Sequence, residues 1–152
     1  MSFWQWSLTP ANNATADPDI NWSEGQSPSS VNDSARQMMT KLTQYRNDMS
    51  GLLTTAGTST AFTVTTNQDL DSPPQDGQKL VIRPHVANGV APTLAADGGT
   101  AYPIRSTTAA AVGAGVMQVG MPYSVTFNLA AGAWLLGAFY NSTISPASIV
   151  TS

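Results

Sequence analysis

Two periods divide the chain. From Val31 onward the apolar residues Val31, Ala35, Met38, Leu42, Tyr45, Met49 and Leu52 recur at alternating intervals of four and three. That is a heptad seam held for three repeats, and it predicts a helix over 29–51. Ser27-Pro28 and Ser30 are start signals, and Ser30 with Asp33 matches an S-x-x-D capping pattern. Gly51 is a stop signal. The basic residues Arg36, Lys41 and Arg46 lie off the seam. An isolated helix of this length is marginal in water, so it must pack on something. The partner is either the chain's own domain or other copies, and a sustained heptad favours other copies. The mixture of Val, Ala, Met, Leu and Tyr does not specify how many.

After a linker at 52–60 the period changes to two. Phe62, Val64 and Thr66 alternate with Thr63 and Thr65; Leu80, Ile82 and Val86 oppose Val81, Arg83 and His85; Val125, Phe127 and Leu129 alternate with Ser124, Thr126 and Asn128. Turn signals fall between these runs at Asp76-Gly77, Asn88-Gly89, Asp97-Gly98-Gly99 and Ala131-Gly132. About seven strands are expected, near 61–67, 78–86, 91–96, 101–106, 115–120, 122–129 and 133–140. Strands so spaced, with no helix between them, point to an antiparallel β-sandwich or small barrel over 61–142, so the fold class is mainly β. Pro84, inside a strand, belongs at a sheet edge or bulge. The last strand is apolar on both faces, so Trp134, Leu135, Leu136 and Phe139 are candidates for packing on a neighbouring subunit as well as on the core. Residues 107–115 read as a low-complexity loop, and 143–152 as a short polar tail.

Residues 1–28 follow neither period. They carry Trp4, Trp6 and Trp22, the acids Asp17, Asp19 and Glu24, no Lys or Arg, and helix-breaking Pro10, Pro18 and Pro28. This predicts an extended arm without regular structure. A tryptophan buries a large apolar area when it docks. Three on a polar arm are candidate anchoring pegs for another protein or another copy; the alternative is packing on the chain's own β domain.

Composition sharpens this picture. Of 152 residues only 10% are charged, against about 25% in ordinary soluble domains. So sparse a surface suits a protein packed against neighbours. The net charge is −3 and no basic run is interleaved with aromatics, which argues against nucleic acid. No apolar run approaches the roughly 18–20 residues of a membrane span, and the N-terminus lacks the charge and apolar core of a signal peptide. There is no cysteine, so thiolate metal sites are excluded.

Chemistry is hard to find. His85 is the single histidine, no G-x-S-x-G elbow accompanies it, and it reads as a solvent-facing strand residue. One Glu, in the arm, leaves no obvious carboxylate pair for glycosidase-type catalysis. Asp69, Asp71 and Asp76 are too loosely spaced for a strong calcium loop. No phosphate-cradling glycine loop is present. Sequons at Asn13, Asn21, Asn32 and Asn141 are of the kind that chance produces in so Asn-, Ser- and Thr-rich a chain. No catalytic residue, metal ligand or cofactor is expected, and an enzyme is the least favoured reading.

The stretch Trp22-Ser23-Glu24-Gly25-Gln26-Ser27-Pro28-Ser29-Ser30-Val31-Asn32-Asp33-Ser34-Ala35-Arg36, with Ala-Asn-Asn-Ala-Thr-Ala-Asp-Pro at 11–18 before it, resembles the N-terminal region of tailed-phage and prophage tail-fibre proteins. Phe62-Thr63-Val64-Thr65-Thr66-Asn67-Gln68, Asp76-Gly77, Pro103-Ile104-Arg105 and Ala133-Trp134 follow the order of a fibre module in that family. The resemblance implies a non-enzymatic structural protein of the virion, a homotrimer anchored by its arm to other tail, baseplate or portal/collar proteins. Many relatives continue into a long receptor-binding part, whereas this sequence stops after one β module. A short fibre or adaptor is therefore the first expectation. A glycan- or receptor-binding module, with Tyr102 and Tyr123 as candidates, and a head fibre or capsid decoration protein are the alternatives.

Overall fold

The computed structural model describes residues 3–137. Its one α-helix, α1 (Pro28–Met49), leads into eight short strands: β1 (Leu53–Thr54), β2 (Ala56–Gly57), β3 (Ala61–Val64), β4 (Lys79–Arg83), β5 (Thr93–Ala96), β6 (Tyr102–Arg105), β7 (Tyr123–Asn128) and β8 (Ala133–Leu136). The fold is mainly β with a single helix. Ser27, not Ser30, caps the helix: the Ser30 backbone N–H donates to Ser27 Oγ at 3.3 Å and Pro28 takes the first helical position. Asp33 instead pairs with Arg36 on the exposed surface. Gly51 ends the helix at φ +76°, a conformation that favours glycine, and an added Cβ would lie a tight 3.2 Å from Pro122 Cβ.

The strands form one sheet in the order β1-β4-β7-β8-β6-β5-β3-β2. Its two ends, β1 and β2, are separated by Thr55 alone. The sheet therefore curls until it nearly closes on itself as a barrel. Thr55 continues the closing strand, donating its N–H to Arg83 O at 3.0 Å. The pairings β1–β4, β3–β5 and β6–β8 are parallel and the others antiparallel. The expectation of an antiparallel sandwich is thus corrected to a mixed, barrel-like sheet. Period two identifies a strand with one buried face but is silent on the direction of its neighbour.

Six of the expected strands are present, within a few residues of their bounds, as β3 to β8. The stretch 115–120 is not a strand. Its backbone is claimed by buried Asn88, whose Oδ1 accepts from Met117 N at 2.7 Å and whose carbonyl accepts from Gly115 N at 2.7 Å. The supposed linker 52–60 contains β1 and β2, because Leu53 is an apolar core residue paired beside Ile82. Pro84 is not within a strand: β4 stops at Arg83, and the Pro84 carbonyl accepts from Gly120 N.

The barrel interior is filled by alternate residues of every long strand, including Phe62, Val64, Leu80, Ile82, Leu94, Ile104, Val125, Phe127 and Trp134. Phe127 lies edge-on to both Tyr102 (4.9 Å) and Trp134 (5.1 Å), the geometry aromatic quadrupoles prefer. Val112 and Met117 reach the same core from the long loop between β6 and β7.

Candidate functional site

The helix attaches to its own chain through a polar stripe. Ser34, Lys41 and Asp48 are its buried residues, seven apart and on one face. Ser34 Oγ accepts from Asn21 N at 2.9 Å and donates to Asn21 O at 3.0 Å, holding the end of the arm. Lys41 Nζ lies 3.2 Å from Asp19 and 3.6 Å from Asp17, whose side chain is almost wholly buried. Asp48 binds the barrel: its carboxylate accepts from the backbone N–H and side-chain amide of both Asn67 (2.9 and 2.6 Å) and Gln68 (3.2 and 2.9 Å). Four donors around one buried carboxylate replace the water it has lost.

The apolar seam lies beside this stripe. Val31 is exposed and Leu42 is 51% exposed, while Ala35, Met38, Tyr45 and Met49 are partly buried. Met39, off the seam, is also exposed. The fully buried positions of the helix are thus polar, while Val31, Met39 and Leu42 face solvent, a partial inversion of the usual amphipathic arrangement. Sequence reasoning missed the polar stripe, although Ser34, Lys41 and Asp48 stand at a heptad interval that a search for apolar residues passes over.

The arm is not an unstructured extension. Short 3-10 turns occupy Phe3–Gln5 and Pro10–Asn13. Asn13 closes a loop by accepting from Ser7 N at 2.7 Å and donating to Ser7 O at 2.8 Å. Asp17 and Ile20 form a bridge, Ile20 is buried, and Trp22 N donates to Ala14 O. Proline and Asn breakers exclude long helices, but short polar side chains then close the backbone locally. Gln5 donates to Asp71 on the barrel. Trp4 and Trp6 are partly buried, and Trp6 Nε1 donates to Asp17 at 3.4 Å. Trp22 stands at the edge, 37% exposed, beside an open cleft lined by Pro10, Ala11, Asn13, Ala14 and Glu24. Of the three tryptophans Trp22 presents the most surface to a partner.

Of the proposed subunit-packing residues, Trp134 and Leu136 are buried in the chain's own core and Leu135 is partly buried on the outer face. Phe139 lies outside the described residues, as does the expected continuation of the last strand to residue 140.

His85 is exposed but not idle. It donates its backbone N–H to Thr55 Oγ1 at 3.2 Å; its Nδ1 meets the same hydroxyl at 2.9 Å, and its Nε2 lies 3.3 Å from Gly57 O. Its ring also stands edge-on to Phe62 at 5.8 Å. It therefore staples the segment that closes the barrel. The candidate sugar contacts are likewise engaged internally: Tyr123 Oη accepts from Gln118 N and donates to Val116 O, and Tyr102 packs edge-on against Phe127. Asp71 accepts from Gln5 and Gln75, and Asp76 from Leu129 N. Among the described residues no group of three acidic, histidine or cysteine side chains is placed to hold a metal ion, and no helix is long and apolar enough to cross a membrane. Neither a protein-family model nor a curated relative matches this sequence.

Proposed function

We propose that this chain is a non-enzymatic structural protein of a tailed-phage virion: a short tail fibre or tail adaptor whose copies join along α1 and whose arm anchors them to the particle. The observation that carries the structural part is the partly inverted helix. Its polar stripe is satisfied within the chain, and Val31 and Leu42 of its apolar heptad are exposed and available to other copies. The phage assignment rests on the resemblance over residues 11–36. The arm supports anchoring because it is tied to the helix through Ser34 and Lys41, so a load on the arm reaches the oligomer directly. Several arms on one oligomer bind with avidity, since each further site acts at high effective concentration.

The test is incorporation. Particles assembled in the presence of a chain lacking residues 1–28 should contain none of it, while that chain keeps the solution mass of the intact oligomer. Incorporation at the normal level would refute anchoring by the arm.

A further inference from the structure

The helix seam ends against a second apolar surface on the barrel. Gly51 backs closely onto Pro122, whose Cβ would lie 3.2 Å from a Cβ added at residue 51. Leu52 and Met121, the chain neighbours of Gly51 and Pro122, are 61% and 56% exposed, and Val119, three residues before Pro122, is 60% exposed. Exposed large apolar side chains, where they gather, mark an interaction surface.

Two further properties suit this surface to a partner identical to itself. From Ser106 to Pro122 there is no Asp, Glu, Lys or Arg. Like copies can therefore bring this loop together without repulsion among its own side chains, with the Arg83 side chain beside Gly51 as a neighbouring charge. The loop is also held in one shape. Asn88 binds Gly113, Gly115 and Met117, the Pro84 carbonyl takes Gly120 N, and Gln118 N donates to Tyr123 Oη. A preorganised surface loses little entropy when it docks. The size of the helix points the same way. A seam of three heptads is short for a self-sufficient coiled coil, and stable interfaces bury about 800 Å² on each partner.

We infer that Leu52, Val119 and Met121 extend the helix seam into one continuous surface that packs against a second copy of this chain. The barrels then lie side by side in the oligomer instead of splaying from the helix tips. The inference rests on the seam being a contact between copies, and the experiment separates the two ideas.

Sedimentation equilibrium of the full chain, over a range of concentrations, compares wild type with Leu42→Asp, with Leu52→Asp/Met121→Asp, and with Val90→Asp as a control on an exposed residue of the loop between β4 and β5. All four substituted residues are exposed, and circular dichroism confirms that each variant folds. The expected result is tenfold or greater weakening of association by L52D/M121D, dissociation by L42D, and no change for V90D. If L42D dissociates the oligomer while L52D/M121D leaves it unchanged, the barrel surface is not an interface and this inference is overturned. If L42D has no effect but L52D/M121D weakens association, the barrel contact does not continue the helix seam, and the seam reading falls together with the inference built on it. A wild type that is monomeric throughout overturns both. Because the chain has no cysteine, Met121→Cys gives a second measurement: a short bis-maleimide should join copies through this single thiol, and its failure to do so counts against the inference.

Discussion

Replacing Asp48 with alanine tests whether a polar clamp holds the helix to the barrel. The carboxylate accepts four hydrogen bonds. The loss is unequal among the donors. Asn67 is exposed, so water replaces the carboxylate there at little cost. Gln68 is only 3% exposed, and its backbone N–H and side-chain amide are left buried without that acceptor. Each stranded donor costs about 1–3 kcal/mol, so D48A should lose about 2–6 kcal/mol. At about 2–4 °C per kcal/mol for a chain of this size, a loss in the middle of that range lowers Tm by about 12 °C. Asp48→Asn keeps the volume and one acceptor oxygen, and should cost less than D48A. Urea unfolding at one fixed protein concentration measures the loss, and hydrogen exchange at the Gln68 amide locates it. A D48A loss below about 1 kcal/mol, or unchanged exchange at Gln68, would refute the clamp.

Three other changes probe the remaining supports. Lys41→Met leaves the buried Asp17 carboxylate without its ammonium, and should cost about 3–5 kcal/mol; arm release would be read as a red shift of tryptophan emission and faster proteolysis within residues 1–28. Asn88→Ala strands the Met117 N–H and the Gly113 carbonyl, and should cost about 2–4 kcal/mol with faster exchange at the Met117 amide. Trp134→Ala empties the centre of the barrel core, costing about 3–5 kcal/mol in urea unfolding; a smaller loss would mean that the core collapses around the gap.

Much of this fold is legible in the sequence, and the parts that are not share a cause. The helix at 28–49 and six of the strands followed from periodicity, because one buried face imposes a period of 3.6 or 2 on the residues that fill it. Val31 and Leu42 could be placed on a seam for the same reason. The polar stripe was hidden because each of its members answers to a distant residue. Asp48 is buried only because Asn67 and Gln68 bring four donors to it, and Lys41 only because the arm folds Asp17 and Asp19 over it. Nothing within a few positions of either residue announces this.

The same division runs through the sheet. Alternation placed Phe62, Leu80, Ile82, Val125 and Phe127 on one face, and local chemistry placed Gly51 at the helix end; these the residues themselves determined. Tertiary structure decided that β3 pairs with β5 and β6 with β8, that Thr55 joins the two ends of the sheet, and that 115–120 binds Asn88 instead of a strand. It also decided which side of the helix meets the chain's own body. Short-range pattern reports which atoms avoid water, since that is a property of each side chain. Pairing, direction and closure depend on which of several permitted partners satisfies the most buried polar groups at once, and that is a property of the whole chain.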